Sequence, residues 1–209
     1  AVSLDTTVTG FPALGAEQRF FLASMGDTLE TAVVMRFDSL PNVFRRINSA
    51  TDSVIMAVDS AYLRLAITTG DTLGLATTVD VYDVDMDGAE EADPSAVASM
   101  FIPSRLIGTR TIPADSLRDS LLVPLDNAFI LAKTQVADTS RRRLRLGIKL
   151  REGSARELRI TPLNVGTINP VIFRPSTDAT VPTIFVQPRS KTPADGPIIA
   201  ADLSDYQVI

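Results

Sequence analysis

The sequence predicts an all-β protein, an antiparallel β-sandwich of jelly-roll-like type with one short helix and extended terminal segments. Short alternating or continuous apolar runs recur along the chain, and clusters of Gly, Pro, Asp and Ser separate them. Such runs are typical of strands, and such clusters are typical of turns. Apolar residues make up 45% and charged residues 22% of the 209 residues, which is enough for one buried core and a polar surface.

The strand pattern is clearest in residues 31–37, 60–67 and 141–151. In 141–151 the apolar residues Leu144, Leu146, Ile148 and Leu150 alternate with the basic residues Arg143, Arg145, Lys149 and Arg151. This alternation predicts a half-buried strand with a basic outer face. Other strands are predicted at 19–23, elsewhere between 53 and 69, and at 77–84, 98–107 (with a bend at Pro103), 120–125, 157–163 and 170–173. The last two are expected to be neighbours of 141–151.

Only one segment has a convincing helical pattern. Asp126 or Asn127 is a suitable N-cap for the run 128–133, which is expected to end near Ala137. Taken together, the patterns divide the chain into three parts. They are an extended N-terminal segment (1–9), a β-sandwich domain (10–175) and a Pro-rich extended C-terminal tail (176–209).

The missing residue types limit the chemistry. The chain has no Cys, which excludes disulfides and thiol nucleophiles, and no His, which removes the usual general base near neutral pH. We therefore expect no catalytic residues and no enzyme activity. The net charge of −5 argues against a nucleic-acid partner, which would need a basic surface. No apolar run approaches the roughly 20 residues of a membrane-spanning helix, so no membrane span is expected.

Residues 83–88 match the first half of the D-x-D-x-D-G pattern of calcium loops. Alternate carboxylates direct oxygen atoms at one hard cation, and Gly88 permits the sharp turn. The twelfth position of the loop is Pro94, where a bidentate Glu is usual. The candidate ligands for Ca²⁺ are Asp83, Asp85, Asp87, Glu91 and Asp93. The alternative is an acidic strand end that continues into a solvated loop.

Strand-like runs in the tail are the main candidates for partner binding. One alternative is that the tail folds back along its own sandwich and covers a sheet edge. The other is that it adds as a strand to the next copy of the protein, where main-chain hydrogen bonds provide affinity. Residues 2–8 alternate in the same way. The candidate partner-binding residues in the tail are Thr183, Ile184, Phe185, Val186, Ile198, Ile199, Tyr206 and Val208.

The basic strand supplies two more candidates, Arg143 and Arg145. They fit an anionic glycan, a phosphate-rich surface or an acidic patch on a neighbouring subunit, such as its 83–93 segment. The alternative is that long cationic side chains solvate one face of the sheet and oppose edge-to-edge aggregation.

Several segments, in this order, resemble the DNRLRE-type domains, secreted bacterial β-sandwich modules that are similar to carbohydrate-binding modules. The segments are 14–22, 33–41, 58–65, 78–84, 144–148 and 169–173. The resemblance implies the sandwich fold and a secreted or cell-surface bacterial location. The missing catalytic residue types, the all-β pattern and the strand-like runs in the termini lead us to expect a structural or interaction protein. We expect it to self-associate through extended terminal strands into a filament or surface assembly, with copies of itself or other surface proteins as partners. The alternative is a calcium-assisted module that binds an extracellular glycan.

Overall fold

The computed structural model describes residues 20–24, 30–38, 40–45, 50–66, 76–86, 93–114, 120–152, 157–160, 183–188, 199–202 and 205–208. The strands are β1 (Phe20–Ala23), β2 (Ala32–Phe37), β3 (Val43–Arg45), β4 (Asp52–Val54), β5 (Val58–Ala66), β6 (Thr77–Asp83), β7 (Leu106–Ile112), β8 (Ser120–Pro124), β9 (Leu144–Leu150), β10 (Glu157–Ile160), β11 (Thr183–Pro188), β12 (Ile199–Asp202) and β13 (Asp205–Val208). The helices within these ranges are α1 (Pro94–Ala98) and α2 (Asn127–Thr134), with 3-10 turns at Pro103–Arg105 and Thr139–Arg141. The all-β prediction is confirmed.

The strands form two larger sheets and two short ribbons, and all of the pairings between them are antiparallel. The order is β12-β11-β5-β8 in the four-stranded sheet and β13-β2-β9-β6-β7 in the five-stranded sheet. The ribbons are β1-β10 and β3-β4. Most neighbours are distant in the chain, so the sheets depend on long-range pairing.

The register follows from the alternation of apolar residues. On β2 and β9, Met35 lies opposite Leu146, and Val33 lies opposite Ile148. Val81 of β6 also lies opposite Ile148, from the other side. Because residues opposite each other share a face, this register collects the apolar side chains on one side of the sheet. A slip of one residue would move all of them to the other side.

One apolar cluster contains the inner-face residues of both larger sheets. Its largest fully buried side chains are Phe37, Leu22, Met35, Ile55, Leu63, Leu65, Ile130, Leu144, Leu146, Ile148 and Leu150. Burial of each side chain of this size contributes about 1.5–3 kcal/mol relative to exposure. The common cluster therefore couples the two sheets energetically.

The two sheets also meet along one pair of edges. Gly108 of β7 forms an isolated bridge with Leu125, which follows β8, and the Asp126 amide donates to the Ile107 carbonyl at 2.8 Å. A Cβ atom at position 108 would lie 2.6 Å from the Pro124 carbonyl oxygen. Glycine is therefore required for this close approach of the two backbones.

Most of the predicted strands are present within one to three residues of their expected bounds, and three differences stand out. The prediction of a strand at 98–107 is wrong, because helix α1, a turn and a 3-10 turn occupy 94–105 before β7 begins. Asp93 caps this helix by accepting from the Ser95 amide at 2.9 Å, and Pro94 is its first residue. Strand β3 was not predicted. The strand at 157–160 pairs with β1, whereas β9 lies between β2 and β6.

The predicted helix is confirmed as α2. Its N-cap is Asp126, whose carboxylate accepts a hydrogen bond from the Phe129 amide at 2.7 Å. It ends at Thr134, three residues before the expected end. Ile130 buries its side chain in the common core, which fixes the helix against the four-stranded sheet.

The described strands of the predicted tail belong to the two larger sheets. β11 lies between β5 and β12, with Phe185 opposite Tyr62. β13 pairs with β2, with Gln207 opposite Val34. Both pairings are made within the same chain. The segments at 2–8 and 170–173 lie outside the described residues.

No helix in the described part of the chain is long and apolar enough to cross a membrane.

Candidate functional site

A group of charged residues lies on the outer face of the five-stranded sheet, the face opposite the common core. Every second residue of β9 points away from the core, which places Arg145, Gly147 and Lys149 on this face, and Arg151 directly follows the strand. The expectation of a half-buried strand is wrong here, since Arg145 is only 3% exposed. The cause is a second layer of side chains on the outer face.

This second layer is a small apolar cluster. Tyr82 and Val84 contribute to it from β6 and its end, and Val97 contributes from α1. Phe101, which follows α1, packs against this cluster, and its ring centroid lies 5.3 Å from that of Tyr82. The chain between β6 and β7 therefore covers part of the outer face.

Gly147 makes this cover possible. A Cβ atom at this position would lie 2.5 Å from Cζ of Phe101 and 2.7 Å from Cγ1 of Val84. Both distances are far shorter than an ordinary carbon–carbon contact. The absence of a side chain at position 147 thus leaves the space that Phe101 occupies.

Arg145 lies beside this cluster and is paired with Asp38, with Nη1 2.8 Å from Oδ1. Arg36, its neighbour across the strands, places Nη2 3.4 Å from Oδ2 of the same Asp38. One carboxylate thus lies between two guanidinium groups. An unpaired buried charge is costly. Removal of Asp38 would therefore destabilise the fold more than removal of one partner of an exposed ion pair would.

A second pair lies at the other end of β9. Arg151 donates through Nε and Nη2 to the two carboxylate oxygens of Asp80, at 2.9 and 2.7 Å. Thr109 of β7 donates to the same carboxylate at 2.6 Å. This bonding raises the pKa of Arg151 above its ordinary value. Asp80 is almost fully buried, so its charge requires these donors.

Tyr82 and Lys149 lie between these two pairs. Burial raises the pKa of the Tyr82 phenol, the negative charge of Asp80 raises it further, and Arg151 opposes them. The Lys149 ammonium lies 5.8 Å from the Tyr82 ring centroid and 5.9 Å from that of Phe101, within the range of cation–π attraction. It also lies 3.8 Å from Glu30.

A third charged group surrounds the segment 83–86, which we call the aspartate loop. Lys133 of α2 donates to Oδ2 of Asp85 at 2.6 Å, and Arg143 donates to its Oδ1 at 3.1 Å. Lys133 also lies 3.7 Å from Asp83, and Arg105 lies 3.8 Å from the same carboxylate. The loop is thus surrounded by cationic groups from three different parts of the chain.

The five predicted calcium ligands have different positions. Asp83 and Asp85 are in the aspartate loop, and Asp93 caps α1. Asp87 and Glu91 lie outside the described residues. Among those described, no group of three acidic side chains is arranged to hold a metal ion. Calcium binding stays a prediction.

Among the predicted partner-binding residues, Thr183, Ile184, Phe185 and Val186 lie in β11, Ile199 in β12, and Tyr206 and Val208 in β13. Ile198 lies outside the described residues. Arg143 and Arg145 bind carboxylates of their own chain, Asp85 and Asp38. The basic strand thus meets the acidic loop, as its charge suggested, but within one chain.

Sequence reasoning missed Lys133, Arg105, Asp38 and Asp80 as parts of this surface. Asp80 had a signal, since it is an acidic residue inside an otherwise apolar strand pattern. The other three had none, because their partners are far away in the sequence. A cationic group lies within 4 Å of each of the carboxylates of Glu30, Asp38, Asp80, Asp83 and Asp85.

Comparison of the chain with protein-family models, curated proteins and solved structures finds no match. The resemblance to DNRLRE-type domains therefore stays a prediction.

Proposed function

We propose that this chain is a non-catalytic structural or interaction module of the cell surface or extracellular space, which self-associates through its C-terminal strands. The two larger sheets form the layers of a jelly-roll-like sandwich. The location is taken from the resemblance to secreted bacterial β-sandwich modules. The sandwich is supported by the common apolar core of the two sheets and by the bridge between Gly108 and Leu125.

The observation that carries the proposal is the place of the C-terminal strands in both sheets. Without β11 to β13, strand β5 keeps β8 and strand β2 keeps β9 as the only neighbour among the described strands. Each sheet then has an open edge with unpaired main-chain groups. Such edges are templates for a strand from another chain.

The same pairing is available between copies. Residues 161–182 separate β10 from β11, and a segment of this length spans up to roughly 70 Å when extended. This reach allows the C-terminal strands to enter a neighbouring subunit. Because each copy then donates strands to one neighbour and accepts them from another, repetition gives a filament unless the ring closes.

Engineered disulfides distinguish pairing within a chain from pairing between chains, and the absence of native Cys makes the experiment clean. Val34 and Gln207 lie opposite each other on β2 and β13. Residues in this relation have Cα atoms about 4.5–5.5 Å apart, which a disulfide spans. We expect the double variant Val34→Cys/Gln207→Cys to form a ladder of covalent oligomers on oxidation.

Two single variants with different tags provide the sharper form of the test. A mixture of Val34→Cys and Gln207→Cys should give a mixed-tag dimer on a non-reducing gel. The matched control mixes Val34→Cys with Tyr206→Cys, since position 206 lies opposite Met35 in the register and not opposite Val34. Absence of the mixed-tag dimer, with formation of intrachain disulfide alone by the double variant at every protein concentration, would contradict self-association through these strands.

A second candidate function is glycan binding, which one register observation favours. Tyr62 of β5 lies opposite Phe185 of β11 and Pro124 of β8, so two aromatic residues are adjacent across the four-stranded sheet. Aromatic rings are common contacts for the faces of sugars. A glycan array with and without calcium should then detect binding that Tyr62→Ala removes and Tyr82→Phe keeps. An array without signal for the wild-type protein would exclude this candidate.

A further inference from the structure

The aspartate loop has the residue pattern of a calcium loop, but cationic side chains of the protein lie around its oxygen atoms. The ammonium of Lys133 lies between two carboxylates, 2.6 Å from Asp85 and 3.7 Å from Asp83. In the D-x-D pattern these two carboxylates are the first two ligands of the metal ion. The ammonium group therefore lies where both carboxylates can share one positive charge.

The backbone of the loop is held in the same way. Arg105 donates through Nη1 to the carbonyl of Asp83 at 2.8 Å and lies 3.5 Å from that of Asp85. Arg143 donates to the carbonyl of Met86 at 3.0 Å while its Nε binds the Asp85 carboxylate. Three carbonyl oxygens and two carboxylates thus face three cationic groups.

The cationic groups come from separate, anchored elements. Lys133 is in α2, whose start is capped by Asp126 and whose Ile130 is buried in the core. Arg105 is in the 3-10 turn before β7, and Arg143 directly precedes β9. The side chains of Lys133 and Arg143 are only 17% and 18% exposed, so their charges are less screened than those of surface pairs.

We infer that Lys133 and Arg143, with Arg105, take the place of a metal ion in this loop, so that the segment is ordered without calcium. An internal cation has a further consequence for specificity. It repels a divalent ion from the same oxygen atoms, because two like charges a few ångströms apart at a partly buried site are unfavourable. The inference does not depend on self-association, since it concerns one loop of one chain.

The test compares melting temperatures in EDTA and in calcium, measured by circular dichroism. The wild-type protein is expected to melt at the same temperature in both. The variant Lys133→Met/Arg143→Met keeps an unbranched, flexible side chain at both positions but removes two positive charges. It should melt at a lower temperature in EDTA, and calcium at ten times its dissociation constant should raise the melting temperature by about 3–6 °C.

Three further variants make the result specific. Asp85→Asn added to the double variant should abolish the calcium response, because it removes the shared carboxylate. Lys133→Arg keeps the charge and should behave as the wild type. Lys149→Met removes a lysine of β9 that contacts neither Asp83 nor Asp85, and this variant should show no response to calcium. If the double variant does not fold, Lys133→Met alone should show the same response.

Two results would overturn the inference. One is a calcium-dependent rise in the melting temperature of the wild-type protein that Asp85→Asn removes, because the loop would then bind calcium despite the internal cations. The other is a folded Lys133→Met/Arg143→Met variant whose melting temperature does not change with calcium, because Lys133 and Arg143 would then not occupy the position of a metal ion. Neither result bears on the disulfide experiment.

Discussion

The substitution Gly147→Ala tests how the outer face of the five-stranded sheet is built. The added methyl group would lie 2.5 Å from Cζ of Phe101 and 2.7 Å from Cγ1 of Val84. Ordinary carbon–carbon contacts are about 3.5–4.0 Å, so the overlap is about 1 Å. Gly147 lies in the middle of β9, which is paired on both sides, so the backbone has little freedom to move away.

The expected cost is that of overpacking, about 1–3 kcal/mol in the free energy of unfolding. For a chain of this size, each kcal/mol lowers the melting temperature by about 2–4 °C. Urea denaturation followed by circular dichroism measures the change directly. The main loss should come from displacement of Phe101, because its ring is the closest obstacle.

A double-mutant cycle isolates this contact. Phe101→Leu removes the ring atoms that the new methyl group would meet, so Gly147→Ala should cost much less in that background. The matched control is Gly108→Ala, whose methyl group would meet the Pro124 carbonyl oxygen at 2.6 Å and gains no relief from Phe101→Leu. Additive effects of Gly147→Ala and Phe101→Leu would refute the packing of Phe101 on β9.

Two more predictions concern Tyr82 and the start of α2. The pKa of Tyr82 is raised above 10.0, chiefly by burial and then by Asp80. The folded state therefore holds the phenolic proton more tightly, and the stability that this provides is present below pH 10 and is lost as the pH rises through the folded-state pKa. Urea midpoints between pH 8 and 11 should fall less for Tyr82→Phe than for the wild type, and parallel curves would contradict the assignment. Asp126→Ala removes the carboxylate that caps the Phe129 amide and should lower the free energy of unfolding, measured in urea, by about 1 kcal/mol. Asp126→Asn keeps a capping oxygen and should lower it little. Equal losses of stability in the two variants would show that the cap is unimportant.

The charged outer face has a consequence for the proposed assembly. Arg143 and Arg145 were candidates for an acidic partner, but each binds a carboxylate of its own chain. A partner that used these arginines would first have to displace Asp85 and Asp38. The proposed strand exchange would leave these ion pairs in place, because the C-terminal strands of a neighbouring copy would replace β11 at β5 and β13 at β2.

Most strands were predictable because their signal is local. The alternation in 31–37, 60–67 and 141–151 identifies β2, β5 and β9, since a strand places every second residue on one face. The N-cap residue Asp126 identified α2, because a helix cap is also a local signal. The segment 94–105 was misread because its apolar residues resemble a strand, although Asp93 and Pro94 carry the usual signals of a helix start.

The site was much less predictable, because its contacts join residues that are distant in the chain. Asp85 meets Lys133 and Arg143 across 48 and 58 positions, and Asp38 meets Arg145 across 107. The sequence showed an acidic loop and a basic strand but not that they neutralise each other.

The sequence by itself determined the all-β class, the position of α2 and the absence of His and Cys chemistry, since these depend on local pattern and composition. Only the tertiary structure decided that β11 and β13 join the two larger sheets and that Arg145 is buried. Strand pairing is chosen by the register and core contacts of the whole chain, and a short strand pattern is compatible with many neighbours. The burial of a charge likewise depends on a partner that no local pattern specifies.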